Sequence, residues 1–514
     1  MVTNTTMAAG ARWPRRAANA HWLALSAALL PAGVAHADSW SIVPRIGLSE
    51  TYSTNMTLTS GPALKGWITD IAPGIQIEGN GARMKARLDY ANHILRYAGS
   101  PELSQNLNFL TSDVNIEAID KCLYLDAGAS ISQRNRSPFQ AAPIAATSGT
   151  QNLTETSAAQ LSPYIKGVFP ELALYHLRYT LIDARSDDAA FAHTRVNQWT
   201  GTLRNPSATT VGWSLGFSTT GVRNDVIGDK SDDRVRAGLN LEALPTLHLS
   251  ASAGQERSDY TSAGMQRTAT PGWGLDWTPT PHTQLAVLRE KRFFGTAHSA
   301  LFNYRTALTN WRYTDTRDVA FLAGLLGASA QSVVAELMSD LLAASIPDPV
   351  ARTAAVRSRL DQDDARPMLS VENDVQTSRL FINHAREASA ALIGPRDSLT
   401  FSIAQRDQQA IGLAPGVADS FSLSNDIRER SGRLAWIHRL TPLATLRLST
   451  ARLRSEGKDV PDLRSDQWSQ TVSLTFHPAA SAFISFGLRT TRFESTLDGS
   501  FRENAAALSF TQRF

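Results

Sequence analysis

The sequence predicts an all-β fold: a large antiparallel transmembrane β-barrel of about 18–22 strands that carries a helical insert. Three observations lead to this prediction. An export leader opens the chain, apolar and polar residues alternate along many short segments, and the last residue is the aromatic Phe514. A tilted strand of about ten residues crosses the hydrocarbon layer of a membrane with every second side chain facing lipid.

The start of the chain has the three parts of a secretory signal peptide. An apolar stretch at 22–30 follows a basic region without acidic residues, and 35–37 reads as a small-x-small cleavage site. The basic residues are Arg12, Arg15 and Arg16. We therefore expect a signal peptide at 1–37 and an outer-membrane barrel domain at 38–514, exported in a Gram-negative cell.

The charge of the chain gives no sign of a nucleic-acid partner. The sequence has 50 lysines and arginines against 47 acidic residues, and the leader contains three of the arginines and no acid. The exported part is therefore close to neutral, without the basic surface that binds a phosphate backbone. Its apolar residues never form a run long enough for a membrane helix, a profile that outer-membrane barrels share.

The alternation is clearest at the C-terminus. Ala506, Leu508, Phe510 and Phe514 fall on one face of the last segment, and polar residues fall on the other. A soluble β-sandwich also alternates, but it buries its apolar face in a core. The polar face here includes charged residues, which suit a wet lumen. They are Lys85, Asp89, Arg447, Arg489 and Arg513.

The connections between these segments are of two kinds. Short connections marked by proline are expected at 278–281, 441–442 and 477–480, and long polar ones at 408–428 and 454–466. Outer-membrane barrels have short periplasmic turns and longer outer loops. The pattern therefore favours this class over the sandwich.

One region, 318–364, departs from the period of two. Its apolar residues recur at three- and four-residue spacings from Phe321 to Leu342, and Pro347 and Pro349 end the helical pattern. We expect a helical insert within the barrel domain. It is either packed in one loop, or a plug in the lumen, or a docking surface for a periplasmic partner. The pattern does not indicate on which side of the membrane it lies.

No catalytic, cofactor-binding or metal-binding residues are predicted, and the chain is not expected to be an enzyme. It lacks the H-E-x-x-H zinc motif, the G-x-S-x-G nucleophile turn and the phosphate-binding loop. His-Ala-Arg-Glu at 384–387 is interpreted as the solvated face of a strand, and the acidic cluster at 361–364 as a solvated helix end. The single cysteine, Cys122, excludes an internal disulfide and is expected to be a small buried residue in a strand.

Four segments in a fixed order carry a family resemblance. They are the aromatic-rich strand and turn at 273–281, the Arg-Phe-Phe-Gly hairpin at 292–295, the insert segment 346–350, and 378–381. Together they resemble the outer-membrane proteins associated with the PEP-CTERM/exosortase system, over most of the exported chain. The resemblance implies an outer-membrane location beside exopolysaccharide-synthesis genes, and it brings no catalytic residues. The tryptophans and tyrosines of 273–313 are expected in the interfacial girdle.

Three functions remain open. The resemblance favours a barrel that supports export or surface display of an exopolysaccharide, with the polysaccharide or periplasmic export components as partners. The alternatives are a general diffusion porin and an outer-membrane hydrolase, which would need a nucleophile beside a histidine and an acid. In each case the partners include outer-membrane lipid and the barrel assembly machinery, which is expected to bind the C-terminal strand ending in Phe514. No cofactor is expected.

Overall fold

The computed structural model describes residues 39–144, 150, 152–188, 193–205, 210–321, 377–412 and 419–514. The signal peptide predicted at 1–37 lies outside these residues. The described strands are β1 (Ser39–Ser53), β2 (Gly66–Asn80), β3 (Met84–Tyr97), β4 (Gln105–Ile119), β5 (Leu123–Asn135), β6 (Leu153–Phe169), β7 (Ala173–Ser186), β8 (Thr194–Arg204), β9 (Val211–Asn224), β10 (Gly228–Leu244), β11 (Leu247–Ser258), β12 (Gln266–Ala269), β13 (Gly272–Thr280), β14 (Thr283–Arg292), β15 (Gly295–Arg305), β16 (Thr309–Ala320), β17 (Leu380–Ile393), β18 (Asp397–Ile411), β19 (Asp426–Thr441), β20 (Ala444–Gly457), β21 (Arg464–Ala479), β22 (Ala482–Ser495) and β23 (Gly499–Arg513).

The strands form one closed antiparallel barrel. Consecutive strands pair around the ring, and β1 pairs with β23 from Arg45 opposite Arg513 to Ser53 opposite Ala505. β12 and β13 pair with successive parts of β11 in one register, so they form a single interrupted strand. The ring therefore has 22 strands, which confirms the predicted fold class at the upper end of its range. Closure leaves no edge unpaired among the described strands.

The predicted start of the helical insert is wrong. Asp318, Val319 and Ala320 belong to β16, where they pair with β17. A few apolar residues fit both a period of two and a helical period, so the spacing could not locate the boundary. The rest of the insert, 322–364, lies outside the described residues. The described part of the chain has no helix with the length and apolar character needed to cross a membrane.

Short and long connections lie at opposite ends of the barrel. The proline-marked turns follow β13, β19 and β21 at one end, as predicted, and the strand ends that flank the long connections at 54–65, 136–152, 321–379 and 412–425 lie at the other. Outer-membrane barrels place short turns in the periplasm and long loops outside. We therefore call these the periplasmic end and the outer end. Because β16 finishes and β17 begins at the outer end, the insert region is connected there.

One predicted loop is much shorter than expected. The sequence predicts a loop at 454–466, but β20 continues to Gly457 and β21 begins at Arg464. The charged residues that made this stretch look like a loop include Arg454 and Arg464, which lie on the wall of the barrel. Charge therefore marks the outer ends of these strands as well as their loops.

One face of the strands is apolar and exposed around the ring. On β23 it carries Leu508 and Phe510, and the terminal Phe514 follows them, 73% exposed. On β13 to β16 the same face carries the aromatic residues predicted for the interfacial girdle. They are Trp273, Trp277, Tyr304, Trp311 and Tyr313. Exposed apolar side chains arranged as a belt fit a wall that faces lipid.

The opposite face lines the lumen. Ser465, Gln467 and Ser495 on this face bond to a loop from a distant part of the wall, so the face is turned inward. All five charged residues predicted for the wet face share this inward register. The predicted polarity of the two faces is thus confirmed.

Charged residues on the lipid-facing wall concentrate at its outer end. Every outward lysine or arginine in the described strands lies in the half of its strand next to the outer loops. These residues are Arg96, Arg185, Arg195, Arg223, Arg257, Arg267, Arg289, Lys291, Arg317, Arg386, Arg428, Arg430, Arg452, Arg454, Arg464, Arg492 and Arg502. The outward acids of the same half are Glu50, Glu155, Asp183, Asp229, Asp233, Asp315, Asp407, Asp426, Glu456, Asp466 and Glu494.

Candidate functional site: the lumen and its outer mouth

A segment of the β5–β6 connection crosses the outer mouth of the lumen. We call residues 136–144 the strap. Six strands separate β5 from β21 along the shorter way around the ring. The strap nevertheless bonds to the inward face of β21 and β22. It therefore spans part of the opening instead of extending into the solvent.

Polar side chains of the far wall hold the strap by its backbone. The Gln467 side chain accepts a hydrogen bond from the Ala142 N–H at 2.9 Å and donates one to the Ala142 carbonyl at 2.7 Å. Ser465 and Ser495 donate to two further strap carbonyls, at 2.9 and 2.8 Å. These bonds satisfy backbone groups that would otherwise be buried without partners, so the docked strap is specifically recognised.

Apolar contacts fix the centre of the strap. Phe139 is fully buried and packs with Phe381, Phe421, Ile427 and Leu463, which belong to the far wall and its loops. Complete burial of one such side chain stabilises the docked state by roughly 1.5–3 kcal/mol. Together with the hydrogen bonds, this contact holds the strap closed without a covalent link.

A buried arginine organises another part of the mouth. Arg292 ends β14 and begins the predicted Arg-Phe-Phe-Gly hairpin, which the structure confirms as a two-residue turn to β15. Gly295 in this hairpin has a φ of 107°, a conformation that favours glycine. The Arg292 guanidinium lies 2.6 Å from Glu256, 2.8 Å from Asp318 and 3.6 Å from Asp232. Its charge is therefore fully paired within the wall.

The neighbouring apolar cluster holds both flanks of the insert region. Phe321 and Leu380 pack into one cluster with Tyr260 and Phe293. Burial raises the pKa of the Tyr260 hydroxyl, and the nearby charge of Asp232 adds to this shift, so the ring stays neutral. The chain thus leaves the barrel at Phe321 and returns at Leu380 beside the Arg292 hairpin.

A stack of rings lies on the inward wall near the periplasmic end. The rings of Tyr124 and Tyr164 lie 5.1 Å apart and nearly parallel, and His176 is 5.5 Å from Tyr164. The Lys166 ammonium is 4.2 Å from the Tyr124 ring, and the Arg178 guanidinium is 4.2 Å from the Tyr164 ring. This stack of rings presents aromatic edges and cations to the lumen, where they can contact a polar solute.

Three side chains on the outer wall have the composition of a metal site. Ligand atoms of His298, Asp315 and His384 lie within 4.8 Å of one another. Both histidines contact one oxygen of Asp315, at 2.9 and 2.8 Å. The Arg386 guanidinium lies 3.8 Å from the other oxygen of Asp315, and its Nη2 lies 3.3 Å from His384 Nδ1. A fixed positive charge this close disfavours a bound cation, so we assign no metal here.

Sequence reasoning found only part of this site. It interpreted 384–387 as a solvated strand face, whereas the structure places His384 on the outward wall. The contact of His384 with Asp315 joins residues on two different strands, so no local spacing could reveal it. Cys122 is not in a strand as predicted; it is half-buried in the turn between β4 and β5. The strap went undetected because its contacts join positions more than three hundred residues apart in sequence.

Comparisons with known proteins show the fold. The FrpB iron transporter from Neisseria meningitidis (F5-1 variant) has a TM-score of 0.50 and 9% identity, and the alignment covers 93% of this chain and 83% of that chain. The F3-3 variant also gives 0.50, with 8% identity and coverages of 92% and 81%. The siderophore receptor PirA from Pseudomonas aeruginosa gives 0.44, with 8% identity and coverages of 92% and 80%. No protein-family profile and no curated protein matches the sequence.

These similarities support one structural statement. At identities this low they show the fold alone: the chain is a large β-barrel of the outer-membrane type. They do not address the resemblance to the exosortase-associated proteins.

Proposed function

We propose that this protein is an outer-membrane conduit for a polar, carbohydrate-like polymer, with the strap as its gate, and that it serves an exopolysaccharide system of the PEP-CTERM/exosortase type. The observation that carries the proposal is the docking of strap residues 136–144 on the inward face of β21. Barrels of 22 strands enclose a space far wider than their own side chains fill. A loop held across that opening by hydrogen bonds and one buried ring controls passage.

The lining of the lumen supports a hydroxyl-rich cargo. Inward charges occur largely as opposite pairs, such as Arg45 with Asp89 at 2.5 Å and Arg489 with Glu503 at 2.7 Å. A lining of this kind has no strong field of one sign and does not select ions by charge. It offers donors and acceptors to a neutral polar polymer, and the family resemblance points to an exopolysaccharide.

Conductance in planar bilayers tests the gate. Gln467→Ala removes two hydrogen bonds to the strap, each worth about 1 kcal/mol, so we expect the ratio of open to closed time to rise about thirtyfold. Gln198→Ala is the matched control, because Gln198 lies on the inward wall and bonds to Thr220 of the next strand. Wild-type openings as frequent and as large as those of the variant would instead favour the diffusion porin. If wild type, Gln467→Ala and Gln198→Ala all showed no conductance, the proposal of a conduit would be wrong.

A deletion strain tests the cargo. We expect loss of the gene to lower the amount of polysaccharide at the cell surface, and the wild-type gene to restore it. A normal amount of surface polysaccharide in the deletion strain would contradict the proposed cargo. The conductance result would be unaffected. Labelling of the purified barrel by a serine-reactive probe would contradict the non-enzymatic assignment, which is part of the proposal.

A further inference from the structure

We propose that the outer wall of the barrel binds the phosphate groups of an outer-leaflet glycolipid, through a belt of arginines centred on Arg257 and Arg267. This wall faces lipid, and binding there is independent of what passes through the lumen. Every described outward lysine and arginine lies in the outer half of its strand.

The height of the belt matches a lipid headgroup. Along the outward face of β23, the apolar Phe510 and Leu508 come first, Asn504 follows, and Arg502 lies next to the outer loops. The six residue-to-residue steps from Leu508 to Arg502 span about 20 Å along the strand, or about 15 Å along the membrane normal at the usual tilt. The guanidinium groups therefore lie above the apolar band, where headgroups begin.

Within the belt, arginines face each other directly across strands. Such pairs are Arg257 with Arg267, Arg430 with Arg454, and Arg492 with Arg502. Glu456 contacts both members of the second pair, and Glu494 contacts Arg492 in the third. Like charges directly opposite one another destabilise a sheet. The first pair has no such acidic partner among the described residues, and it therefore fits an anion that lies between the two guanidinium groups.

Arg257 and Arg267 are the clearest case. Among the described residues, neither forms an ion pair or a side-chain hydrogen bond. The carboxylate of Asp233 lies across from Arg257 on β10, but it does not reach it as an ion pair. Arg289 and Lys291 extend the same patch on β14. This part of the wall therefore has an excess of positive charge that the protein itself does not neutralise.

The chemistry of the belt selects phosphate carried by a lipid. A guanidinium group binds phosphate oxygens through two parallel hydrogen bonds, which a compact ammonium group does not do. Exposed tryptophan adjoins the belt: Trp468 lies directly between Arg452 and Arg492 across the sheet. An indole beside arginines suits the boundary between acyl chains and phosphorylated sugars. A free phosphate ion would make no use of the apolar band below.

Binding of diphosphoryl lipid A to the full-length, detergent-purified barrel tests the proposal. We expect R257Q/R267Q to weaken lipid A binding about tenfold, since each arginine supplies charge-assisted hydrogen bonds. R257K/R267K keeps the positive charges but loses the paired N–H donors of the guanidinium groups, so it should retain part of the affinity. The matched control is R204Q/R439Q, which removes two arginines that point into the lumen at the periplasmic end.

Each outcome of this experiment is decisive. Weaker binding by R257Q/R267Q, with wild-type binding by the control, supports the lipid site. Equal affinities for wild type and R257Q/R267Q would overturn it, as would an equal loss in the control. If inorganic phosphate displaced all bound lipid A, the arginines would form a general anion site without selectivity for lipid. Dissociation of a dimer by R257Q/R267Q without a change in lipid affinity would assign the surface to a second copy of the chain.

Discussion

At the scale of single residues, the two walls of the barrel use charge differently. The inward wall pairs opposite charges, with Arg292 as the most buried example: its side chain is 3% exposed and that of Glu256 is 0% exposed. The outward wall also pairs many of its arginines, such as Arg452 with Asp466 at 2.6 Å. Among the described residues, however, it leaves Arg257 and Arg267 without an acidic partner at its outer end. The difference follows from the surroundings, because a charge inside the wall must find a partner within the protein, whereas one at the membrane surface can find it in the lipid.

The first prediction concerns Arg292. Arg292→Met leaves Glu256 and Asp232 buried without their shared cation, and we expect it to lower the free energy of unfolding by about 3–5 kcal/mol. Urea unfolding, followed by heat-modifiable migration on gels, measures the change. Lys85→Met is the control, because Lys85 is exposed in the lumen. The double variant Arg292→Met with Glu256→Gln should regain part of the loss; a single variant as stable as wild type would contradict the account of the hairpin.

At the scale of elements, the last strand closes the ring and presents the chain terminus. β23 pairs with β22 and β1, and the Phe514 N–H donates to the Pro44 carbonyl at 2.9 Å. The Phe514 ring itself remains exposed next to the apolar face. We therefore propose that an assembly factor binds the exposed ring while the backbone is held by β1.

The prediction for this element is that Phe514→Ala lowers the amount of folded barrel in the outer membrane without lowering export to the periplasm. Loss of the terminal ring removes the feature expected to bind the assembly machinery. Fractionation with immunodetection measures both pools, and Phe476→Ala, which removes an exposed outward aromatic from β21, is the control. Equal outer-membrane levels of wild type and Phe514→Ala would show that the ring is not the signal.

At the scale of the whole molecule, the sequence predicted the features that depend on local pattern. Alternation along each strand determines which side chains face lipid, so the barrel, its wet face and its girdle could be predicted before any contact was known. The strap could not be predicted, because Phe139 and Gln467 look like ordinary loop and strand residues until the barrel closes. The predicted start of the insert was wrong because Val319 fits both the strand period of two residues and the helical period of three to four residues.

Everything above depends on strands that turn an apolar face toward lipid and a polar face toward a water-filled lumen. Single-cysteine labelling of positions 471–476 on β21, in a Cys122→Ser background and in lipid vesicles, tests this arrangement. We predict that a water-soluble maleimide modifies positions 471, 473 and 475, which point inward, and spares 472, 474 and 476, which point toward lipid. Uniform labelling along the six positions, or labelling of the opposite set, would contradict this account.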